Sequence, residues 1–284
     1  MSPLETNRKL VKMVYETRKD WSKKGDFGKL LVIGGSKKYS GSPALVALSA
    51  YASGCDLVTV ASPERAANIV ASFSPDIITV PLAGDYLSNR HLKTIQELEK
   101  NSDAIVIGNG LERSNETLTA IRAIIQKTEK PVVIDADAIY AIAHHKEILK
   151  GKSAIITPHS HEFKILYGIS LDHNIHNRME ACNKVGKEFN VAVLLKGYHD
   201  AISDGKNDAI NKTGNSYMTK GGTGDTLAGV CGALLSRGVN PFVAASCAAY
   251  INGTAGDLCA KDWGEGLTAE KLICYIPKAL KMHL

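Results

Sequence analysis

The chain has 284 residues, 44% of them hydrophobic and 22% charged, with a formal net charge of +5. This balance fits a globular protein with room for one large α/β domain or two small ones, and the dispersed charge, with no basic run beyond Lys23-Lys24 and Lys37-Lys38, argues against a nucleic-acid partner. No stretch is long and apolar enough for a membrane helix, the N-terminus lacks a signal-peptide core and the six cysteines form no C-x-x-C pair, so a cytoplasmic protein with free, buried thiols is expected.

Residues 1–24 are polar, with a weak helical period from Leu10 to Tyr15, and read as an N-terminal arm. Residues 25–284 read as a single domain, because no linker, repeat or low-complexity segment divides them. A buried strand is predicted at 30–33, closed by Gly34-Gly35, and Pro43 opens a helix over 44–53. Further strands are predicted at 57–60, 77–80, 104–107, 132–134, 154–156 and 191–195. Helices are predicted at 63–72, 89–100, 115–127, 162–167 and 174–189. A hairpin-like section covers 201–218, and the rest reads as helix over 225–236, 241–260 and 269–282. His144-His145 reads as a helix-end surface pair rather than a metal site.

Strands alternating with helices predict an α/β fold, a three-layer α/β/α sandwich with a mainly parallel central sheet. Ligands bind such sheets beyond the carboxyl ends of the strands. The loops that fall there are Gly34-Gly35-Ser36, Gly108-Asn109-Gly110, Asp135-Ala136-Asp137, Thr157-Pro158-His159, Lys196-Gly197 and the turn Gly222-Thr223-Gly224-Asp225.

The last of these loops is the most telling. Glycines let the backbone approach a ligand closely, and the first turn of the helix that follows offers N–H groups and a partial positive charge suited to phosphate. A carboxylate beside a phosphate is repelled unless it has a task, and the natural task is to take a proton from a hydroxyl. Gly222, Thr223 and Gly224 therefore read as an anion hole with Asp225 as general base, as phosphoryl transfer to an alcohol requires. The plainer alternative is an acid in the first turn of an ordinary helix. No G-x-x-x-x-G-K-[ST] segment, dinucleotide fingerprint or G-x-S-x-G elbow is present.

Several blocks occur in a telling order: Gly25-Asp26-Phe27-Gly28-Lys29, Val32-Ile33-Gly34-Gly35-Ser36, Tyr39-Ser40-Gly41, Gly108-Asn109-Gly110-Leu111, Val133-Ile134-Asp135-Ala136-Asp137-Ala138, Thr157-Pro158-His159 with Glu162, Leu195-Lys196-Gly197 and Gly222-Thr223-Gly224-Asp225. With them the chain resembles the ADP/ATP-dependent NAD(P)H-hydrate dehydratases of the ribokinase-like superfamily, from about Lys24 to the C-terminus. The resemblance implies repair of the S-epimer of hydrated NADH or NADPH, with ADP or ATP as co-substrate and Mg2+ as cofactor. It places the hydrate against Gly41, Ser42, Gly110, His159 and Asp225. It places the nucleotide near Lys196, Gly197, Tyr198, His199, Asp200 and Gly224, with the N–H groups of Thr223, Gly224 and Asp225 stabilising the transferred charge. Glu162 would help hold magnesium through water, a surface salt bridge being its alternative role. Asp135 and Asp137 read as caps of the next helix, outside the site.

The chain departs from the family pattern at several positions. Ser42 stands for a usual alanine, Asn109 and Glu112 for the proline and glycine of G-P-G-L-G, His161 for a glycine, and Asp200 for a common threonine. The resemblance also implies a homo-oligomer and, since no epimerase domain fits in this length, an epimerase as a separate protein. A small-alcohol kinase acting on a sugar, hydroxymethylpyrimidine or thiazole alcohol is the alternative within the superfamily. A nucleotide-binding regulatory protein without turnover is the alternative outside it.

Overall fold

The computed structural model describes residues 3–282. In chain order the elements are β1 (Leu4–Glu5), α1 (Arg8–Val14), β2 (Lys29–Ile33), α2 (Gly41–Ala52), β3 (Leu57–Pro63), α3 (Glu64–Phe73), β4 (Ile78–Leu82), α4 (Leu92–Lys100), β5 (Ala104–Ile107), α5 (Asn115–Lys127) and β6 (Val132–Ile134). Then come α6 (Asp137–Ile142), β7 (Ala154–Ile156), α7 (Ser160–Tyr167), α8 (Ile175–Phe189), β8 (Ala192–Leu195), β9 (Asp200–Ser203), β10 (Asp208–Asn211), α9 (Thr223–Ser236), α10 (Pro241–Trp263), α11 (Ala269–Ile273) and α12 (Ile276–Lys281).

The strands form one sheet in the order β1-β10-β9-β8-β7-β6-β5-β2-β3-β4. From β4 to β8 every pairing is parallel, and the β8–β9 and β9–β10 pairings are antiparallel. Alternate side chains of the buried strands feed two cores. Leu30, Val32, Ala104 and Val106 belong to the core shared with α2, α9 and α10, whereas Leu31, Ile33, Ile105 and Ile107 belong to the core shared with α5, α6 and α8. This is the expected three-layer α/β/α sandwich with a mainly parallel sheet.

The chain runs outward from β2 to β3 and β4, then returns to the other side of β2 and continues through β5 to β8. The order therefore reverses between β2 and β5, and a crevice opens there beyond the strand ends. There the Gly35 N–H donates to the Asn109 carbonyl at 2.9 Å, joining the loops that leave the two strands. Helix α9 lies under this crevice and is buried along nearly its whole length, which explains its all-round apolar sequence. Gly222 starts it in a left-handed conformation (φ +94°), where a Cβ would come within 2.6 Å of Leu45 and 2.9 Å of Ala269.

Boundaries differ from expectation where local chemistry was misread. Helix α2 begins at Gly41, so Pro43 is its third residue and not its first. The helix expected over 269–282 is two short helices, because Pro277 in the first turn of α12 has no N–H to continue the ladder from α11. The N-terminal arm supplies β1, which pairs in parallel with β10 at the sheet edge. All six cysteines are free, and only Cys274 is exposed.

Candidate active site

The strand ends bring four charged side chains and one amide into contact at the crevice. Asp135 follows β6, Lys196 follows β8, Glu162 lies in the first turn of α7, Asp225 in the first turn of α9, and Asn109 in the loop after β5. The Lys196 ammonium is 3.0 Å from Asp135 Oδ1 and 3.9 Å from Glu162 Oε2. Thr157 donates its hydroxyl to Asp135 Oδ1 at 2.7 Å. The Asn109 side-chain nitrogen donates to Asp135 Oδ2 at 2.8 Å and to Asp225 Oδ1 at 2.7 Å.

These contacts set the charges. Burial pushes the Asp225 carboxyl up to about 6, helped by the nearby Asp135, while hydrogen bonds from Asn109 and Ser42 and the charge of Lys196 pull it down. Burial likewise raises Glu162. For Lys196 burial acts the other way, yet Asp135 and Glu162 outweigh it and hold the ammonium above its ordinary value. A buried acid tuned near neutrality beside a fixed cation is an arrangement suited to proton transfer.

His159 caps α7. Its Nδ1 accepts from the N–H groups of His161 (3.1 Å) and Glu162 (3.2 Å), and Glu162 Oε2 accepts in return from the His159 N–H at 2.9 Å. Burial, with Lys196 and His161 nearby, keeps the imidazole below its usual value. Near neutral pH the ring is thus uncharged, and its one N–H, at Nε2, stands 3.5 Å from Glu162 Oε1 at the edge of the crevice. Glu162 is tied to this cap and faces Lys196, so it is a buried residue of the cluster and not a surface salt bridge.

On the other side of Asp225, Gly110 adopts φ +73°, and a Cβ there would crowd Tyr39 and Ser42 at 2.8 and 3.3 Å. Ser42, in the first turn of α2 beside Gly41, is among the groups that act on the Asp225 carboxylate. A cleft of about 330 Å³ opens beside the cluster, lined by Lys196, Gly197, Tyr198, Asp200 and Gly224 together with Thr213, Asn215, Met218 and Asn252. His199 turns instead into a neighbouring cavity with His173, Ser160 and Arg178. Asp200 holds the loop, accepting from the Gly197 N–H at 3.0 Å and from the Asn211 amide at 3.0 Å. At the head of α9, the Thr223 hydroxyl is turned back to the Met218 carbonyl at 2.8 Å and its N–H toward the Lys220 carbonyl at 3.4 Å. The N–H groups of Gly224 and Asp225, the next two in the first turn, have no intrahelical partner.

Sequence reasoning missed Asp135, Asn109, Arg178 and the 213–218 wall of the cleft. Asp137 does begin α6, where it pairs with Arg113 at 2.6 Å, but Asp135 points into the cluster. The intervening Ala136 has φ +49° and ψ −122°, which turns the two carboxylates apart. Arg178 is buried and donates to Ser160 Oγ (2.9 Å) and to the Lys196 carbonyl (2.8 Å), bracing the loop from beneath. The Thr213-Gly214-Asn215 turn and the small residues of α10 carried no signal beyond turn and packing composition.

A parallel α/β/α sandwich with an acid at the head of a glycine-led helix, set at the switch point of the sheet, belongs to the ribokinase-like class. A solved ribokinase-like superfamily protein from Enterococcus faecalis superposes with a TM-score of 0.86 over 99% of this chain and 96% of that one, at 21% identity. A structure of the ADP/ATP-dependent NAD(P)H-hydrate dehydratase from Bacillus subtilis superposes with a TM-score of 0.84 over the whole of both chains, at 24% identity. The NAD(P)H-hydrate dehydratase family model matches residues 30–278. The chain therefore belongs to the NAD(P)H-hydrate dehydratase family.

Among curated relatives, the bifunctional NAD(P)H-hydrate repair enzyme Nnr of Pyrobaculum aerophilum is 39% identical over 94% of this chain and 53% of its own length. The ADP-dependent (S)-NAD(P)H-hydrate dehydratase of Cenarchaeum symbiosum is 35% identical over 95% of this chain and 94% of its own. The chain thus spans about half the length of the bifunctional relatives and nearly all of the Cenarchaeum symbiosum dehydratase.

Proposed function

We propose that this chain dehydrates the S-epimer of NADH or NADPH hydrate at the expense of ADP or ATP, restoring the dihydronicotinamide. The observation that carries the reading is Asp225: an acid with its carboxyl raised to about 6, at the head of a helix, between Ser42 and Gly110 on one side and the Lys196-lined cleft on the other.

The nucleotide occupies the cleft, with its terminal phosphate against the N–H groups of Gly224 and Asp225 and the Lys196 ammonium. Lys196, Gly197, Tyr198, Asp200 and Gly224 hold it directly, and His199 supports the loop from the adjoining cavity. The hydrate lies against Gly41, Ser42 and Gly110, with His159 Nε2–H as a donor to its phosphate or ribose. Asp225 accepts the proton of the ring hydroxyl as that oxygen attacks the terminal phosphorus. The bond from phosphorus to the bridging oxygen breaks, and AMP leaves from ADP or ADP from ATP. The ring nitrogen then expels phosphate, the neighbouring carbon loses a proton and the double bond returns. Water is a poor leaving group and phosphate a good one, which is why the nucleotide is consumed. The general-base step is worth roughly a hundred- to ten-thousand-fold in rate.

The Bacillus subtilis relative was crystallised with ATP and Mg2+. Among the described residues no group of three or more His, Cys, Asp or Glu forms a ready metal cage. The buried carboxylate of Glu162 nevertheless offers hard oxygen acceptors of the kind that suit Mg2+ bound largely by water and phosphate. Glu162 would hold such an ion through water, and the ion would supply charge neutralisation on the phosphates. A homo-oligomer acting alongside an NAD(P)H-hydrate epimerase completes the reading. Among the described residues no helix is long and apolar enough to cross a membrane.

The test mixes the protein with enzymatically prepared NADH hydrate or NADPH hydrate, Mg2+, and ADP or ATP, and follows the dihydronicotinamide absorbance. Nucleotide-dependent recovery supports the reading and identifies the preferred nucleotide. A folded, nucleotide-binding protein that restores no absorbance overturns it in favour of a small-alcohol kinase, whose product is a stable phosphoester.

A further inference from the structure

The Asn109 side chain is 1% exposed and uses one nitrogen to bridge two carboxylates, Asp135 and Asp225. Its two N–H bonds diverge, so a single neutral group serves both acids at once. This fixes which way the amide faces, and the consequence is that its Oδ1 is buried without a hydrogen-bond partner. An orphaned buried acceptor costs about 1–3 kcal/mol. Such a cost, at the switch point of the sheet and against two like charges, marks a group kept for what it does to its neighbours.

We propose that Asn109 is a positioning residue for Asp225, tying one oxygen of that carboxylate to the anchored Asp135 so that the other faces the substrate hydroxyl. The inference rests on the reading of Asp225 as the base. Asp135 is a firm anchor, because Oδ1 takes Thr157 and Lys196 while Oδ2 takes Asn109. Asn109 occupies Asp225 Oδ1, and Oδ2 lies on the Gly222 side, within 4.0 Å of where a Cβ at Gly222 would stand. Because the bridge is neutral, it orders the two acids without competing with Lys196 for the phosphate. The groups that bear on Asp225 are Asn109 after β5, Asp135 after β6, Lys196 after β8 and Ser42 on α2; Glu162 lies beyond Lys196, and the buried thiol of Cys231, nearly two turns along α9, is neutral.

The experiment compares wild type with Asn109→Ala and Asn109→Ser. Side-chain carboxyl 13C shifts of Asp-labelled protein are followed against pH without ligands, and the Asp225 signal is assigned by its loss in Asp225→Asn. In N109A the Asp225 midpoint is expected to rise by about one pH unit, the worth of one hydrogen bond to a charged group. In N109S, whose single hydroxyl hydrogen cannot serve both acids, the rise should be smaller. In steady-state assays kcat should fall at least about tenfold while calorimetric ADP affinity stays within about twofold. An unmoved midpoint, or kcat and ADP affinity falling together, overturns the proposal. If N109A does not fold, N109S decides by the same midpoint. If wild type lacks dehydratase activity, the functional reading falls, and the titration still tests the clamp on its own.

Discussion

At the scale of single residues, the site trades stability for chemistry. The Asp225 carboxyl, raised to about 6 from an ordinary value of 3.8, costs the fold free energy wherever it must ionise. The raised value means the folded state holds the proton more tightly than the unfolded chain. Its contribution is therefore fully present below about pH 4 and is lost as pH rises through 6. At pH 7, Asp225→Asn should stabilise the protein by about 1–3 kcal/mol, read as a higher denaturation midpoint, while dehydration falls to background and ADP still binds. In the wild type kcat/KM should rise with pH around a midpoint near 6 as the base loses its proton. Unchanged turnover in D225N would remove Asp225 from the role of base, and a destabilised D225N protein would show that burial does not hold its carboxyl up. Ala136 carries strain of another kind, a φ of +49° with ψ −122°, that only glycine adopts readily. Ala136→Gly should gain about 1 kcal/mol in urea unfolding, the relief of strain exceeding glycine's entropy cost. Asp225 was legible in the sequence because a glycine run, an acid and an apolar helix stand together. Asp135 was not, because an aspartate at a strand end is equally a helix cap, and only the unusual turn at Ala136 separates it from Asp137, which does head the helix. Nor does an asparagine between two glycines announce a bridge to acids 26 and 116 residues away.

At the scale of elements, the crossing of α2 and α9 holds the two halves of the site together. Ser42 lies in the first turn of one helix and Asp225 in the first turn of the other, so their separation depends on how closely the helices pack. Gly229 is the point of contact, where a Cβ would stand 2.3 Å from the Val46 carbonyl oxygen and 2.1 Å from Ser49 Oγ. Backbone cannot yield there as a side-chain tip would. Gly229→Ala should therefore cost about 1–3 kcal/mol in unfolding free energy and also lower kcat, because the helices must separate to admit the methyl group. Wild-type stability in G229A would show that the crossing is softer than this packing implies. The sequence displayed both helices plainly through their small-residue and apolar patterns, and most strands through short runs such as Leu30-Leu31-Val32-Ile33. It displayed their ends less well. Proline favours a first turn but is tolerated anywhere within it, and so α2 starts two residues before Pro43. Pro277 was likewise passed over, and the segment read as one helix over 269–282 is two.

At the scale of the molecule, the sheet ties its edge to its centre. The strand order follows from which crossovers pack, a non-local matter that periodicity does not carry. One consequence is that the N-terminal arm, polar and only weakly patterned in sequence, lies beside β10 and reaches the loop between β8 and β9 through a relay of side chains. The Thr6 hydroxyl donates to Asn211 Oδ1 at 2.8 Å, the Asn211 amide donates to Asp200 Oδ2 at 3.0 Å, and Asp200 Oδ1 accepts from the Gly197 N–H at 3.0 Å. The first link is buried, so it is shielded from exchange with water. Asn211 Oδ1 also accepts from the Thr213 hydroxyl at 2.9 Å, and the relay would thus loosen rather than break without Thr6. Thr6→Val keeps the side-chain shape and removes the link. It should lower stability by about 1 kcal/mol, speed amide exchange at Gly197 and weaken ADP binding by roughly two- to fivefold. Calorimetry with ADP and hydrogen exchange on the same variant separate the two routes by which the arm could matter. Faster exchange at Gly197 with weaker ADP binding is the signature of the relay. A loss of stability with ADP affinity and Gly197 exchange unchanged would leave the arm as an edge strand whose contribution ends at β10.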